Sequence, residues 1–210
     1  MNSFGIEPYG LATNGNGDLF GMTEFGGSDN SCPSGCGTVF EVADTQNGEW
    51  KERILFEFGD GDGWNPEAGL IYDGIGGFYG AVALGGEAKS GVAIELTLHS
   101  GGVYGATVIH TFLGVAQNDP GPSGNLLMDS SGNLYGAATG ADGGVTNGQI
   151  YELSPEWSET ILYAFTGHAD GADPTGGLIS DSSGNLYGAA SGGGDNIGYF
   201  GDGVIFELTP

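Results

Sequence analysis

The residues best suited to chemistry in this chain are short carboxylates set among glycines. Two loops carry them: Gly59-Asp60-Gly61-Asp62-Gly63-Trp64-Asn65-Pro66 and Gly167-His168-Ala169-Asp170-Gly171-Ala172-Asp173-Pro174. Calcium takes six to eight oxygens from turns of this kind. Asp60, Asp62, Asp170 and Asp173 are therefore candidate calcium ligands. The loops depart from an EF-hand, with no glutamate at the twelfth position and no flanking helices. The same side chains have a second use, since Asp and Asn cap tight turns by accepting backbone N–H groups. For Asp129 and Asp181, in short turns, capping explains the residue by itself.

Aromatic rings supply the other candidate site. Phe25, Trp64, Tyr199 and Phe200 lie in glycine-rich loops, with Asp195 and Asn196 beside the last two. A ring packs against the C–H face of a sugar while acids and amides bond its hydroxyls. The alternative is that these rings fold back over a sheet edge. Glu41, Glu95, Glu152 and Glu207 each sit between apolar neighbours. They are either a ring of carboxylates suited to cations or hydrogen-bond acceptors on surfaces between sheets. Catalysis finds little footing. His99, His110 and His168 share no common context, and no Ser-His-Asp, HExxH or CxxC arrangement occurs. With 27 acids, a carboxylate pair at glycosidase spacing is expected by chance.

What must position these groups is visible in the composition. Of 210 residues 45 are glycine, without the three-residue period of collagen, yet 39% are hydrophobic and 11% aromatic. Chains that stay disordered lack that apolar content. No apolar run is long enough to span a membrane as a helix. Met1–Gly5 has neither the basic start nor the apolar core of a signal peptide. Lys51, Arg53 and Lys89 stand against the 27 acids, for a net charge of −24. That charge disfavours nucleic acid and anionic membranes as partners.

The chain repeats itself. Leu19-Phe20-Gly21, Phe78-Tyr79-Gly80, Leu134-Tyr135-Gly136 and Leu186-Tyr187-Gly188 follow one another at spacings of 59, 56 and 52 residues. Each is preceded by a turn such as Asp129-Ser130-Ser131-Gly132-Asn133, which recurs unchanged at 181–185. Each is followed by a strand-like run: 37–42, 91–96, 148–153 and 203–208. A third run, ending in Phe58, Phe112 and Phe165, occurs three times. Short β-branched and aromatic runs between turns read as strands, and no helical period is present. Four strands per repeat of roughly 50 residues is the arithmetic of a propeller blade. The expected fold is all-β, a β-propeller of four four-stranded blades at about 11–58, 70–112, 125–165 and 178–210. The fourth outer strand is missing from this count. It is expected from residues 1–8, through Asn2-Ser3-Phe4, or from a neighbouring chain.

The run Asp-x-x-Gly-Asn-Leu-Tyr-Gly, then Gly-x-Val-Phe-Glu-Leu, then Trp-x-Glu-x-Ile-Leu-Tyr-x-Phe resembles the GloVer tandem repeat of bacterial cell-surface proteins, from about Leu11 to Pro210. The resemblance implies a kelch-like or NHL-like propeller that is extracellular or displayed at the cell surface, here as a mature or excised piece without an anchor. In that oxidising setting Cys32 and Cys36 read as an exposed, loop-closing disulfide. The expectation is a non-catalytic module that binds a ligand, glycan above all, through variable loops on one face, with calcium as a candidate cofactor. A building block of a surface polymer or filament, joined through the incomplete last blade, is the second reading. A polysaccharide lyase or hydrolase is the third.

Overall fold

A computed structural model describes residues 5–45, 47–100, 103–113, 121–140, 146–194 and 201–210, without the side chains of Asp60 and Val103. The described chain is all-β, with a single 3-10 turn at Asp60–Asp62. Four antiparallel sheets form the blades of a four-bladed β-propeller. Blade 1 holds β1 (Ile6–Thr13), β2 (Leu19–Phe25), β3 (Thr38–Asp44) and β4 (Trp50–Glu57). Blade 2 holds β5 (Ile71–Tyr72), β6 (Phe78–Val82), β7 (Val92–His99) and β8 (Val103–Thr111). Blade 3 holds β9 (Pro122–Met128), β10 (Leu134–Ala138), β11 (Gln149–Leu153) and β12 (Glu159–Ala164). Blade 4 holds β13 (Ala172–Pro174), β14 (Ile179–Ser180), β15 (Leu186–Gly192) and β16 (Val204–Leu208).

The inner strands depart from the boundaries read in the sequence. Residues 6–8 do not extend blade 4. They pair with β2, Ile6 opposite Phe25 and Pro8 opposite Thr23, and so begin blade 1. Residues 1–4, including Asn2-Ser3-Phe4, lie outside the described residues. Blades 3 and 4 likewise start earlier than expected, at Pro122 and Ala172. The reason is that each inner strand contains a break. Pairing shifts between Tyr9 and Ala12 in blade 1, and β13 and β14 lie one after the other along the same edge of β15. Glycines with positive φ, such as Gly10, Gly124 and Gly176, permit the break. In blade 4 the outermost row is therefore β16, whose other edge pairs with no described strand.

Side chains on each strand alternate between the preceding and the following blade. Leu134 and Ala138 of β10 join Tyr79, Ala81 and Ala93 of blade 2. Tyr135 and Ala137 between them join Leu178, Leu186 and Ala190 of blade 4. Phe20, Met22 and Val39 of blade 1 meet Phe78, Val92 and Ile94 of blade 2 in the same manner. The terminal phenylalanines Phe58, Phe112 and Phe165 close the three clusters. Among the described residues no such cluster joins blade 4 to blade 1.

The glycine of each Leu-Tyr-Gly segment has a packing reason. Gly21, Gly136 and Gly188 pair directly with Phe40, Tyr151 and Phe206, whose rings lie where a Cβ would be. Only in blade 2 is the opposite residue aliphatic, Ile94, and there Leu70 and Met22 fill the space.

Candidate functional site

Antiparallel blades send successive connections to opposite ends. The short turns between the first two strands occupy one end, and each is organised by one side chain. Asp129 Oδ1 accepts the N–H groups of Ser131 (2.8 Å) and Asn133 (2.9 Å), while Oδ2 accepts from the Asn133 amide and the Tyr135 hydroxyl. Asp181 repeats the set with Ser183, Asn185 and Tyr187. Asp73 and Asn14 do the same work in blades 2 and 1. These acids are turn caps. The Asn185 amide, followed by the other donors, holds the Asp181 carboxyl below its ordinary range.

At the opposite end lies a cavity of about 400 Å³ where blades 2, 3 and 4 come together. Its wall includes Glu67 and Leu84 from blade 2, Pro122, Ser123 and Thr139 from blade 3, and Thr175 from blade 4. Nearby, a Cβ on Gly124 would strike the Gly176 backbone, and Gly10 and Gly69 abut backbone to backbone between blades 1 and 2. The Asn125 side chain accepts the Gly69 N–H at 2.6 Å and ties blade 3 to blade 2. Ser123 donates to the Pro174 carbonyl at 2.8 Å and ties blade 3 to blade 4. Glu67 is exposed and accepts from the buried Asn65 amide at 2.6 Å. Asn65 and Asp173 each precede a proline and hold φ of 64° and 51°. Asn and Asp are the side chains that best tolerate that left-handed region.

The expected aromatic site is arranged differently. The Trp64 ring is half-buried against the cluster between blades 1 and 2. The Trp64 backbone N–H donates to the Leu84 carbonyl at 2.9 Å, so Trp64 stands behind the cavity wall and supports it. Phe25 ends β2 opposite Ile6 and does not line the cavity. Tyr199, Phe200, Asp195 and Asn196 lie outside the described residues.

Of the candidate calcium ligands, Asp60 has a side chain that lies outside the described residues. Asp62 closes the 3-10 turn, its N–H donating to Gly59. Asp173 accepts the Gly140 N–H at 2.9 Å. Asp170 accepts the Thr166 N–H (2.8 Å), the Thr166 hydroxyl and the Tyr163 hydroxyl (3.0 Å). Partial burial pushes the Asp170 carboxyl up, but these donors together outweigh it and bring it to about 2. No group of three or more His, Cys, Asp or Glu side chains is placed to hold a metal among the described residues. Asp170 and Asp173 each direct a carboxylate oxygen to backbone donors within the protein.

Cys32 and Cys36 form a disulfide. The pair is not exposed, as the loop read in isolation suggested. Both cysteines are buried in the cluster between blades 1 and 2, which pins the first variable loop to the core. The four repeated glutamates lie beside tyrosines or an arginine. Glu95 accepts from Tyr79 (3.1 Å), Glu207 from Tyr187 (3.2 Å), and Glu41 pairs with Arg53 (2.8 Å). Burial, followed by the Glu95 charge, pushes Tyr79 up to about 12. His110 links outer strands, with Nε2 3.2 Å from Glu159 and Nδ1 3.2 Å from the Trp157 carbonyl.

The cavity residues carry no local signature, since three blades contribute to them. The recurring prolines Pro66, Pro122 and Pro174 at the entry to each inner strand were the one available signal.

Solved structures share this fold at low identity. The calcium-binding protein regucalcin from Agrobacterium tumefaciens C58 superposes with a TM-score of 0.57 at 16% identity, covering 96% of this chain and 60% of that one. A Hadza microbial sialidase gives 0.58 at 16%, with 96% and 43% covered. The Bombyx mori GH32 β-fructofuranosidase gives 0.52 at 11%, with 96% and 45% covered. The chain thus spans less than two thirds of the length of each, and the likeness is one of fold. No curated protein matches the sequence. Across residues 2–206 the sequence matches the Gloeobacter/Verrucomicrobia repeat, and the chain belongs to that repeat family.

Proposed function

We propose that this propeller is an extracellular, non-catalytic module that binds a neutral saccharide in the cavity between blades 2, 3 and 4. The observation that carries the reading is the make-up of the wall. Ser123, Thr139 and Thr175 offer hydroxyls, Glu67 offers a carboxylate, and Leu84 and Pro122 offer an apolar surface. A sugar ring presents the complementary set, hydroxyls on its rim and C–H groups on its face. Among the described residues of the wall, Glu67 is the one titratable side chain. A net charge of −24 favours neutral ligands over anionic ones.

The test is a panel of neutral oligosaccharides screened by ligand-observed NMR, followed by titration of any that bind. Thr139→Trp fills the cavity and is expected to abolish binding. Glu67→Gln is expected to weaken it about tenfold, the loss of one charge-assisted hydrogen bond. No binding across the panel, or binding untouched by both changes, overturns the reading.

A further inference from the structure

Blade 4 presents a face that the other blades bury. By strand pairing, Ile71, Tyr79, Ala81 and Ala93 in blade 2 correspond to Leu127, Tyr135, Ala137 and Ile150 in blade 3. The same positions in blade 4 are Ile179, Tyr187, Ala189 and Ile205. In blade 3 the next blade covers this face, leaving Tyr135 8%, Ala137 2% and Ile150 0% exposed. In blade 4 Ile179 is 68% and Ile205 82% exposed.

The opposite end shows the complement. The surface that receives such a face is built from Leu126, Leu134, Tyr151 and Leu153 in blade 3, all buried. Blade 1 carries the same surface as Leu11, Leu19, Phe40 and Val42. Leu11 is 63% exposed, where Leu70, Leu126 and Leu178 at the same position are 4%, 4% and 7% exposed. Phe40 on the blade 1 face stays buried at 7% and Leu19 and Val42 are half-buried, so the face is open at Leu11. The two faces, open at Leu11 and at Ile179 and Ile205, are the two halves of a junction that the molecule already makes three times.

We infer that a second copy of this chain seats the blade 1 face, around Leu11, on the blade 4 face, around Ile205, and so repeats the internal blade junction between molecules. The contact is heterologous, joining different patches on the two copies. It closes into a ring when the rotation allows and otherwise grows into a filament. Like charge on the copies opposes it, so salt strengthens it. The cavity is built from other residues, and this inference stands apart from the saccharide reading.

Sedimentation velocity on the 210-residue chain tests it, from micromolar to millimolar protein, in low salt and in about 0.5 M NaCl, where screening acts within a few ångströms. Expected are dimers or longer species whose fraction rises with protein and with salt. Ile205→Lys and Leu11→Lys change exposed positions, and circular dichroism confirms that each variant folds. Each alone is expected to lower the association constant at least tenfold. Mixed together, the two variants retain one intact junction and are expected to restore a dimer. A monomer under all conditions overturns the inference. So does association that Leu11→Lys leaves intact, or a mixture that stays monomeric.

Discussion

The ring of Tyr151 lies across Gly136, its directly paired neighbour on β10, and a Cβ at Gly136 would overlap the tyrosine hydroxyl. Tyr151 is fully buried, and its hydroxyl has no hydrogen-bond partner among the described residues. The pair explains why a residue with no side chain recurs at the centre of a strand that is otherwise apolar. It also leaves a polar atom stranded in the junction between blades 2 and 3.

Gly136→Ala forces the Tyr151 ring out of a packed cluster. Overpacking of this kind costs about 1–3 kcal/mol. Urea denaturation should show that loss. Gly15→Ala, at a turn position with open space around it, should shift stability by less than about 0.5 kcal/mol.

Tyr151→Phe removes the stranded hydroxyl and keeps the ring. A buried group without a partner carries a penalty of about 1–3 kcal/mol. The variant should therefore be more stable than the parent, with a higher midpoint in the same titration. An unchanged or lower midpoint would mean that the hydroxyl finds a partner in solution.

Asn125→Ala leaves the Gly69 N–H without its acceptor where blades 2 and 3 are tied together. A loss of about 1–3 kcal/mol is expected. Hydrogen exchange at Gly69 should quicken by more than that at the Asp129 turn, which lies at the other end of the blade. Equal quickening at both sites would contradict a local tie.

Asp170 gives the pH dependence a sign. Its carboxyl sits at about 2 in the folded chain against an ordinary 3.8. The unfolded chain therefore takes up this proton first as pH falls. The stabilisation is complete above about pH 4 and disappears towards pH 2. Asp170→Asn should be about 1 kcal/mol less stable than the parent at neutral pH, the scale of a net hydrogen bond. The gap between the two should close as pH drops through that window. A gap that stays constant to pH 2 would show that the charge at Asp170 is not what the Thr166 and Tyr163 donors hold.

The blades were readable because their positions repeat. Leu134-Tyr135-Gly136 and Asp129 announce a strand and its turn, and the all-β propeller follows from their recurrence. The start of blade 1 was hidden. Glu7, Pro8, Tyr9 and Gly10 show no apolar alternation, and they join β2 through backbone pairing that needs none. Asp170 and Asp173 read both as turn caps and as calcium ligands, because capping a turn and binding calcium call for the same short carboxylate. The cavity was out of reach for a different reason. Ser123 near the start of β9 and Thr139 and Thr175 in their loops are ordinary residues in their own segments, and only the meeting of three blades makes them neighbours.

The capped turns of Asp129 and Asp181 and the cavity lie at opposite ends of the strands. This gives the molecule two chemically distinct ends. A bead, matrix or wall that holds the protein by the turns leaves the opening pointing outward, free to exchange its contents. Attachment through Glu67 or its surroundings would seal it. The orientation of an immobilised sample therefore decides whether an assay can test the saccharide binding proposed above.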